Sequence, residues 1–375
     1  MRNLTIGRIW GIPIRLNISL LIFLPILAYL LGSGAQIDVY VGVINNLWPA
    51  SLDPDTFQVG ARSWTIGILG AIGLFVSIAL HELGHAYAGL RYGIKTESIT
   101  LWILGGLASF ESLPKEWNRE LVIALAGPAT SVLVAVVCGL ALQLTPASLP
   151  VVVFTLGFLA ILNLVLTVFN LLPAFPMDGG RVLRALLARN RPYATATRIA
   201  ARVGTLFAFV FIALGVLGFQ IILLLVGLFI YFAATGESRT VVLEELLEGL
   251  TVRNLATSDA AVDADDSAAD LMDRLLRARR SDLLVTDGGD IVGIVTASSL
   301  RSVDPADYAM TRVGELATTD LPRVDSGESA FDALIALNQA RSDVALVEED
   351  GRLIGAISQA DFAVALDLQR GAKAI

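Results

Sequence analysis

Five long apolar runs leave this chain few ways to fold. They are Leu16–Leu31, Trp64–Leu90, Leu121–Leu144, Val151–Leu172 and Val203–Thr235, and charge is nearly absent from them. About 20 apolar residues in a helix cross the hydrocarbon of a membrane, where no water satisfies an exposed backbone. The last run is 33 residues long. As one helix it would measure about 50 Å, too long for a single crossing. Arg198 and Arg202 precede it and Arg239 follows, so both of its ends face one side. A tight pair of short spans turning near Gly218-Phe219-Gln220 satisfies length and charge together, and six membrane helices are expected. Composition agrees, with 55% hydrophobic and 17% charged residues, where a soluble domain carries nearer a quarter charged. Leu16–Leu31 contains Pro25, lacks a clear cleavage pattern and is followed by further spans, so it reads as a first span rather than a signal peptide. Gly32–Ser63 reads as a loop.

Charge is unevenly placed. Residues 251–375 hold 22 acidic and 12 basic side chains, and the first 250 residues hold 13 and 15. A membrane part followed by an acidic soluble part is implied. In the membrane part, basic residues gather at the N-terminus, at 91–119 (Arg91, Lys95, Lys115, Arg119) and at 181–202 (six arginines), while the alternate loops are acidic or nearly uncharged. By the positive-inside rule the protein is a multi-pass cell-membrane protein with both termini cytoplasmic. No basic patch suggests nucleic acid. The single cysteine, Cys138, excludes an intrachain disulfide and a cysteine-rich metal site.

The second run carries His81-Glu82-Leu83-Gly84-His85, and these are the only two histidines in the chain. Four helical residues are about 400° of rotation, so both imidazoles share one face, a turn apart. That spacing suits two nitrogens on one Zn²⁺, with Glu82 beside them as base for a metal-bound water. The alternatives are a polar pair buried in a bundle, or chance. Ionisable groups in a lipid-like run are costly without a partner, which favours the metal. A catalytic zinc takes three protein ligands and keeps one position open. No third histidine exists, so the third ligand is expected to be a carboxylate. Asp178 is the best placed, after the Pro173 and Pro176 kinks and before Gly179-Gly180; it could instead be a loop aspartate or a helix cap. Asn163 and Asn170 could bond within the bundle, or Asn170 could reach the site and meet a substrate carbonyl.

Between the second and third runs, Ser98–Phe110 is β-branched and aromatic around Gly105-Gly106, which predicts a short hairpin. A strand edge cannot face lipid, so the hairpin must pack on protein or line a water-filled cavity. The pair His81-Glu-Leu-Gly-His85 and Asn170-x-x-Pro-x-x-x-x-Asp178-Gly, at the ends of membrane helices, resembles the site-2 intramembrane metalloproteases over about residues 1–240. The resemblance implies His81, His85 and Asp178 as ligands of one zinc ion, Glu82 as catalytic base, and Asn170 as a substrate or transition-state contact. The substrate would be a transmembrane protein helix, cut near the cytoplasmic side. It must unwind first, and the hairpin edge at Gly105 and Gly106 could hold it extended.

The soluble part is a tandem repeat. Val252-Arg-Asn-Leu-Ala-Thr257 returns as Val313-Gly-Glu-Leu-Ala-Thr318, and Ile291-Val-Gly-Ile-Val-Thr296 as Leu353-Ile-Gly-Ala-Ile-Ser358. Each copy has a helical segment (Ala268–Arg279, Ala330–Gln339) and a strand pair around Asp287-Gly288 or Asp350-Gly351, so two α/β units are expected. They resemble paired CBS domains, which in many proteins bind adenine nucleotides and dimerise. The family's Ser/Thr-x-x-Asp pattern stands as Ser358-Gln-Ala-Asp361 in the second copy. The first copy has Thr296-Ala-Ser-Ser299 without the aspartate, so at most one nucleotide site is complete, and a ligand-free homodimerising module is the alternative.

The expected architecture is a polytopic α-helical membrane metalloprotease domain (1–240), a linker (241–251), and an α/β CBS pair (252–311 and 312–375). The rival functions are a CBS-gated transporter and an inactive membrane chaperone. A transporter would spread charged residues over several spans, whereas the polar chemistry here is concentrated at 81–85 and 170–178. The topology has a direct check. In a Cys138→Ala background, Thr56→Cys should react with an impermeant thiol reagent outside intact cells and Thr195→Cys should not; the reverse pattern inverts the orientation.

Overall fold

A computed structural model describes residues 3–58, 61–103, 105–110, 114–258, 261–278 and 282–373. Arg2, Leu104 and Arg279, which the sequence argument used, lie outside them. The chain forms two compact units, Met1–Ser238 and Arg239–Ile375.

The first unit begins with strands β1 (Asn3–Ile9) and β2 (Ile12–Asn17), then helices α1 (Ile18–Leu31), α2 (Gly34–Leu47), α3 (Asp55–Gln58) and α4 (Arg62–Arg91). Strands β3 (Thr96–Trp102) and β4 (Gly105–Phe110) follow, then α5 (Trp117–Leu144), α6 (Pro150–Asn170), α7 (Asp178–Ala188), α8 (Tyr193–Leu217) and α9 (Ile221–Leu247). Among the described residues five helices are long and apolar enough to cross a membrane, and the bent pair α1–α2 would make a sixth. At 14 residues, or about 21 Å, α1 falls short of a crossing by itself.

Three features depart from the sequence expectation. The stretch 34–47 is helix rather than loop, because Ile37, Val41 and Ile44 form an i, i+4, i+7 stripe that buries against Val153, Phe154 and Phe158 of α6. The run 203–235 does turn at 218–220, and its two halves belong to longer helices of 25 and 27 residues, extended by 193–202 and 236–247. The arginine-bearing N-terminus is a β-hairpin. It enlarges the expected hairpin to a four-stranded sheet of order β1-β2-β3-β4, in which β2 and β3 pair in parallel and the other neighbours antiparallel. Ile12 of β2 and Ile99 and Leu101 of β3 pack on Leu83 and Ala86 of α4, so the two central strands bury against protein, while β1 is exposed along its length. Strand β4 is one edge of the sheet.

In the second unit, α10 (Val252–Leu255) precedes β5 (Ala261–Asp263), α11 (Ala268–Ala278), β6 (Asp282–Asp287), β7 (Asp290–Thr296) and α12 (Ala297–Leu300). The second copy repeats the series as α13 (Val313–Leu316), β8 (Arg323–Asp325), α14 (Ala330–Ala340), β9 (Val344–Glu349), β10 (Arg352–Ser358) and α15 (Gln359–Lys373). Both sheets have a parallel pair followed by an antiparallel hairpin, and each hairpin turns at the expected glycines. The copies interlock. Thr257, ahead of the first sheet, bridges to Ala356 of the second, and Thr318, ahead of the second, bridges to Ile294 of the first. Leu284 and Ile294 share a core with Val344, Leu346 and Ala356.

Candidate metal centre

The face of α4 turned toward α5 carries His81 and His85, each 3% exposed. Their rings meet nearly edge-on, at 77°, with the two Nε2 atoms 3.2 Å apart. Helix α5 aims both rings from behind. His85 Nδ1 donates to the Ile123 carbonyl at 2.7 Å, and His81 Nδ1 lies 2.9 Å from Ser131 Oγ. A carbonyl only accepts, so His85 carries its proton on Nδ1 and turns the Nε2 lone pair inward.

The loop after α6, with Pro173 and Pro176, ends helix there and starts α7 at Asp178. Asp178 Oδ2 lies 3.1 Å from His81 Nε2 and 3.2 Å from His85 Nε2. As a carboxylate, Asp178 would supply the anionic third donor beside two neutral imidazoles. Among the described residues this is the one group of three His, Cys, Asp or Glu side chains able to hold a metal ion. Tetrahedral bonds of about 2.0–2.1 Å place ligand atoms roughly 3.3–3.4 Å apart, so two nitrogens and an oxygen at 3.1–3.2 Å fit a zinc ion.

Glu82 is half-buried on the neighbouring face of α4, and its Oε2 accepts the Ala108 amide of β4 at 3.2 Å. A Cβ on Gly106 would lie 2.5 Å from Glu82 Cγ, so only glycine lets the strand pass this close. Gly105, with φ +133, begins the strand. Asn170 is the last residue of α6, half-buried, and its amide joins none of the hydrogen bonds of the His–His–Asp cluster. Asn163 instead bonds within the bundle, donating to Ser77 Oγ and the Leu159 carbonyl, both at 2.9 Å. In the second unit Ser358 Oγ donates to Asp361 Oδ2 at 2.7 Å, and the Ser358 amide donates to the same oxygen at 2.8 Å. In the first copy Thr296 Oγ1 accepts the Ser299 amide, so hydroxyls stand where the second copy has a carboxylate.

Sequence reasoning missed the contribution of α5: Ile123, Ser131 and, above all, Gly127. A Cβ on Gly127 would sit 2.2 Å from His85 Nε2 and 2.6 Å from His81 Nε2, inside the space an ion would need. The signal was the Gly127-Pro128 pair within an apolar span.

A buried N,N,O donor set with an adjacent glutamate, held between membrane helices, defines a membrane-embedded metallohydrolase. The profile of peptidase family M50 matches residues 69–211, and the CBS domain profile matches 252–305 and 313–368. A zinc metalloprotease of Methanocaldococcus jannaschii is 32% identical over 372 residues, covering 98% of this chain and 96% of that one. The solved site-2 protease of the same organism is 36% identical, covering 63% of this chain and 95% of that one, with a TM-score of 0.42. The chain belongs to peptidase family M50, the site-2 proteases, and carries a CBS pair after its membrane helices.

Gly127 gives a test of the centre that spares the fold. Alanine is the better helix former by about 1 kcal/mol, so Gly127→Ala should keep its helix content by circular dichroism. Zinc content of the purified protein should nonetheless fall at least tenfold. Full zinc occupancy in that variant would place the ion elsewhere.

Proposed function

We propose that this protein is an intramembrane zinc metalloprotease that cuts transmembrane protein helices near the cytoplasmic face, at a rate set by an adenine nucleotide on its CBS pair. The observation that carries the proposal is the convergence of His81, His85 and Asp178 at 3.1–3.2 Å. These three side chains would hold one zinc ion per chain, which when bound would supply Lewis-acid activation of a carbonyl and of water. Glu82, beside the cluster, would serve as general base toward the attacking water and as proton donor to the leaving amide nitrogen. Asn170 offers its amide N–H to the substrate carbonyl.

The substrate must present an extended segment, because a helical peptide bond is already hydrogen-bonded and covered. The free edge of β4 can receive it as an added strand, with Gly105 and Gly106 at the entry. The Ala108 amide that reaches Glu82 belongs to this strand, so a segment paired there runs beside the base. Against a transporter, buried ionised side chains of the first unit outside the cluster are, among the described residues, Glu120 and Arg184, which pair with each other.

Residues 1–240 are taken as the protease domain, 241–251 as the connection, and 252–311 and 312–375 as the two CBS repeats, with both termini cytoplasmic. Ser358 would meet a nucleotide phosphate and Asp361 the ribose. A second copy of the chain would pair through the CBS repeats.

The division of labour at the centre is testable. Glu82→Gln should abolish hydrolysis of a transmembrane substrate while zinc stays bound, whereas His81→Ala should lose the ion. Asp178→Asn should weaken zinc and cut the rate sharply. Normal turnover by Glu82→Gln would sink the mechanism. For the tail, calorimetry on the full-length protein in detergent should detect an adenine nucleotide, and Asp361→Ala should weaken it about ten- to hundredfold, the worth of a hydrogen bond to a charged group. No heat at millimolar nucleotide would leave the pair a dimerising module.

A further inference from the structure

Among the described residues the largest fully buried side chain is an arginine, Arg184 of α7. Its Nε donates to Glu120 Oε1 of α5 at 2.7 Å, Nη2 lies 2.6 Å from the same oxygen, and Nη1 donates to Glu237 Oε1 of α9 at 2.6 Å. The guanidinium lies over two rings, 5.0 Å from the centroid of Phe175 and 4.9 Å from that of Tyr193 on α8. Glu120 is 3% exposed, and its second oxygen, Oε2, has no hydrogen-bond partner. Burying such a group is costly, and a buried ion pair is weak grounds for stability, since packed apolar side chains of similar volume often serve as well or better. The best-attested use of such a pair is to fix one register between elements.

The register at stake is that of the metal centre. Helix α5 supplies what aims both imidazoles, the Ile123 carbonyl and Ser131 Oγ, and the gap at Gly127. Glu120 stands one turn before Ile123 in the same buried stripe of α5. Asp178 comes from a different element, α7, an 11-residue helix entered from an irregular turn. Arg184 grips both parts of that element. Its head binds α5 through Glu120, and it stacks on Phe175, three residues ahead of Asp178 in the turn that delivers the carboxylate.

We infer that Arg184 is a positioning residue: by pinning α7 and the Phe175 turn to Glu120, it sets Asp178 at ligand distance from two imidazoles that α5 itself has aimed. The inference rests on His81, His85 and Asp178 being the metal ligands. Supporting partners of ligands commonly change metal affinity about 10- to 100-fold, and that is the scale of effect expected here.

The test uses the full-length protein in detergent, with zinc affinity from competition against a chelator and the visible spectrum of the Co²⁺-substituted protein. Arg184→Met should weaken zinc by about 10- to 100-fold and alter the cobalt bands. The double variant Arg184→Met/Glu120→Met removes the stranded carboxylate and should recover thermal stability without recovering affinity or spectrum. Glu120→Gln keeps shape and an acceptor but loses charge, and should shift both readouts in the same direction by a smaller factor; it decides the matter if the other two do not fold. Native zinc affinity and native cobalt bands in the folded variants would make the cluster a stability element and overturn the inference. Failure of the unaltered protein to bind zinc or cobalt would instead remove the metal centre on which the inference stands.

Discussion

The approach of α5 to α4 at Gly127 governs the membrane unit. An imidazole inside a membrane helix needs a partner for each nitrogen, and a polar group left unsatisfied in hydrocarbon costs several kcal/mol. The Nδ1 partners of His81 and His85 are Ser131 Oγ and the Ile123 carbonyl, both on α5 and a turn or so either side of Gly127. The helices come this close where Gly84 of α4 meets Thr130 and the Ala126 carbonyl of α5, and Gly127 leaves the space in front of the imidazoles clear. The inward Nε2 atoms then face each other and the Asp178 carboxylate, an arrangement of donors that a shared cation suits better than any proton placement does. Ligand geometry, tautomer and helix spacing are therefore one constraint rather than three.

The same helix separates two kinds of chemistry by rotation. His81 and His85 face α5, while Leu83 and Ala86 face the four-stranded sheet, and Glu82 lies beside β4. Hydrolysis needs water, and an open strand edge needs partners for its backbone, and neither is compatible with lipid contact. Putting the sheet against the end of α4 answers both demands. His85 lies six residues from the end of that helix at Arg91, about 9 Å along its axis, so the cluster is close to the polar boundary.

Much of this was legible in the sequence, for definable reasons. The His-Glu-x-x-His spacing is a local helical periodicity, and Asp178 stood out because proline and glycine mark the turn that delivers it. The tandem repeat and its hairpin turns could be read directly from recurring residues. What escaped depends on contacts between distant segments. Nothing local says that Ile14–Leu16 of β2 pairs in parallel with Ile99–Leu101 some 85 residues on, or that the fully exposed β1 joins the same sheet as its edge. The α2 stripe at 37, 41 and 44 was legible but was outweighed by Asp38, Asp53 and Asp55 and by the prolines and glycines near the end of the segment. Gly127 looked like an ordinary small residue in a span, because the reason for it lies 40 residues away on another helix.

The two CBS copies complete one another's sheets. The leading segment of each repeat finishes the other repeat's sheet: the Thr257 amide donates to the Ala356 carbonyl at 2.8 Å, and the Thr318 amide to the Ile294 carbonyl at 2.8 Å. Ser358 stands two residues beyond Ala356 on β10, and its hydroxyl and amide are both committed to Asp361. A ligand that claimed that hydroxyl would have to rearrange the start of α15, whose Phe362 is packed with Leu247 and Val252 in one core. Leu247 ends α9 and Val252 starts α10, so the residues that first feel such a rearrangement are those through which the chain enters the repeat. Ser358 and the entry segment 247–257 are thus joined by packed side chains and paired backbone within this unit.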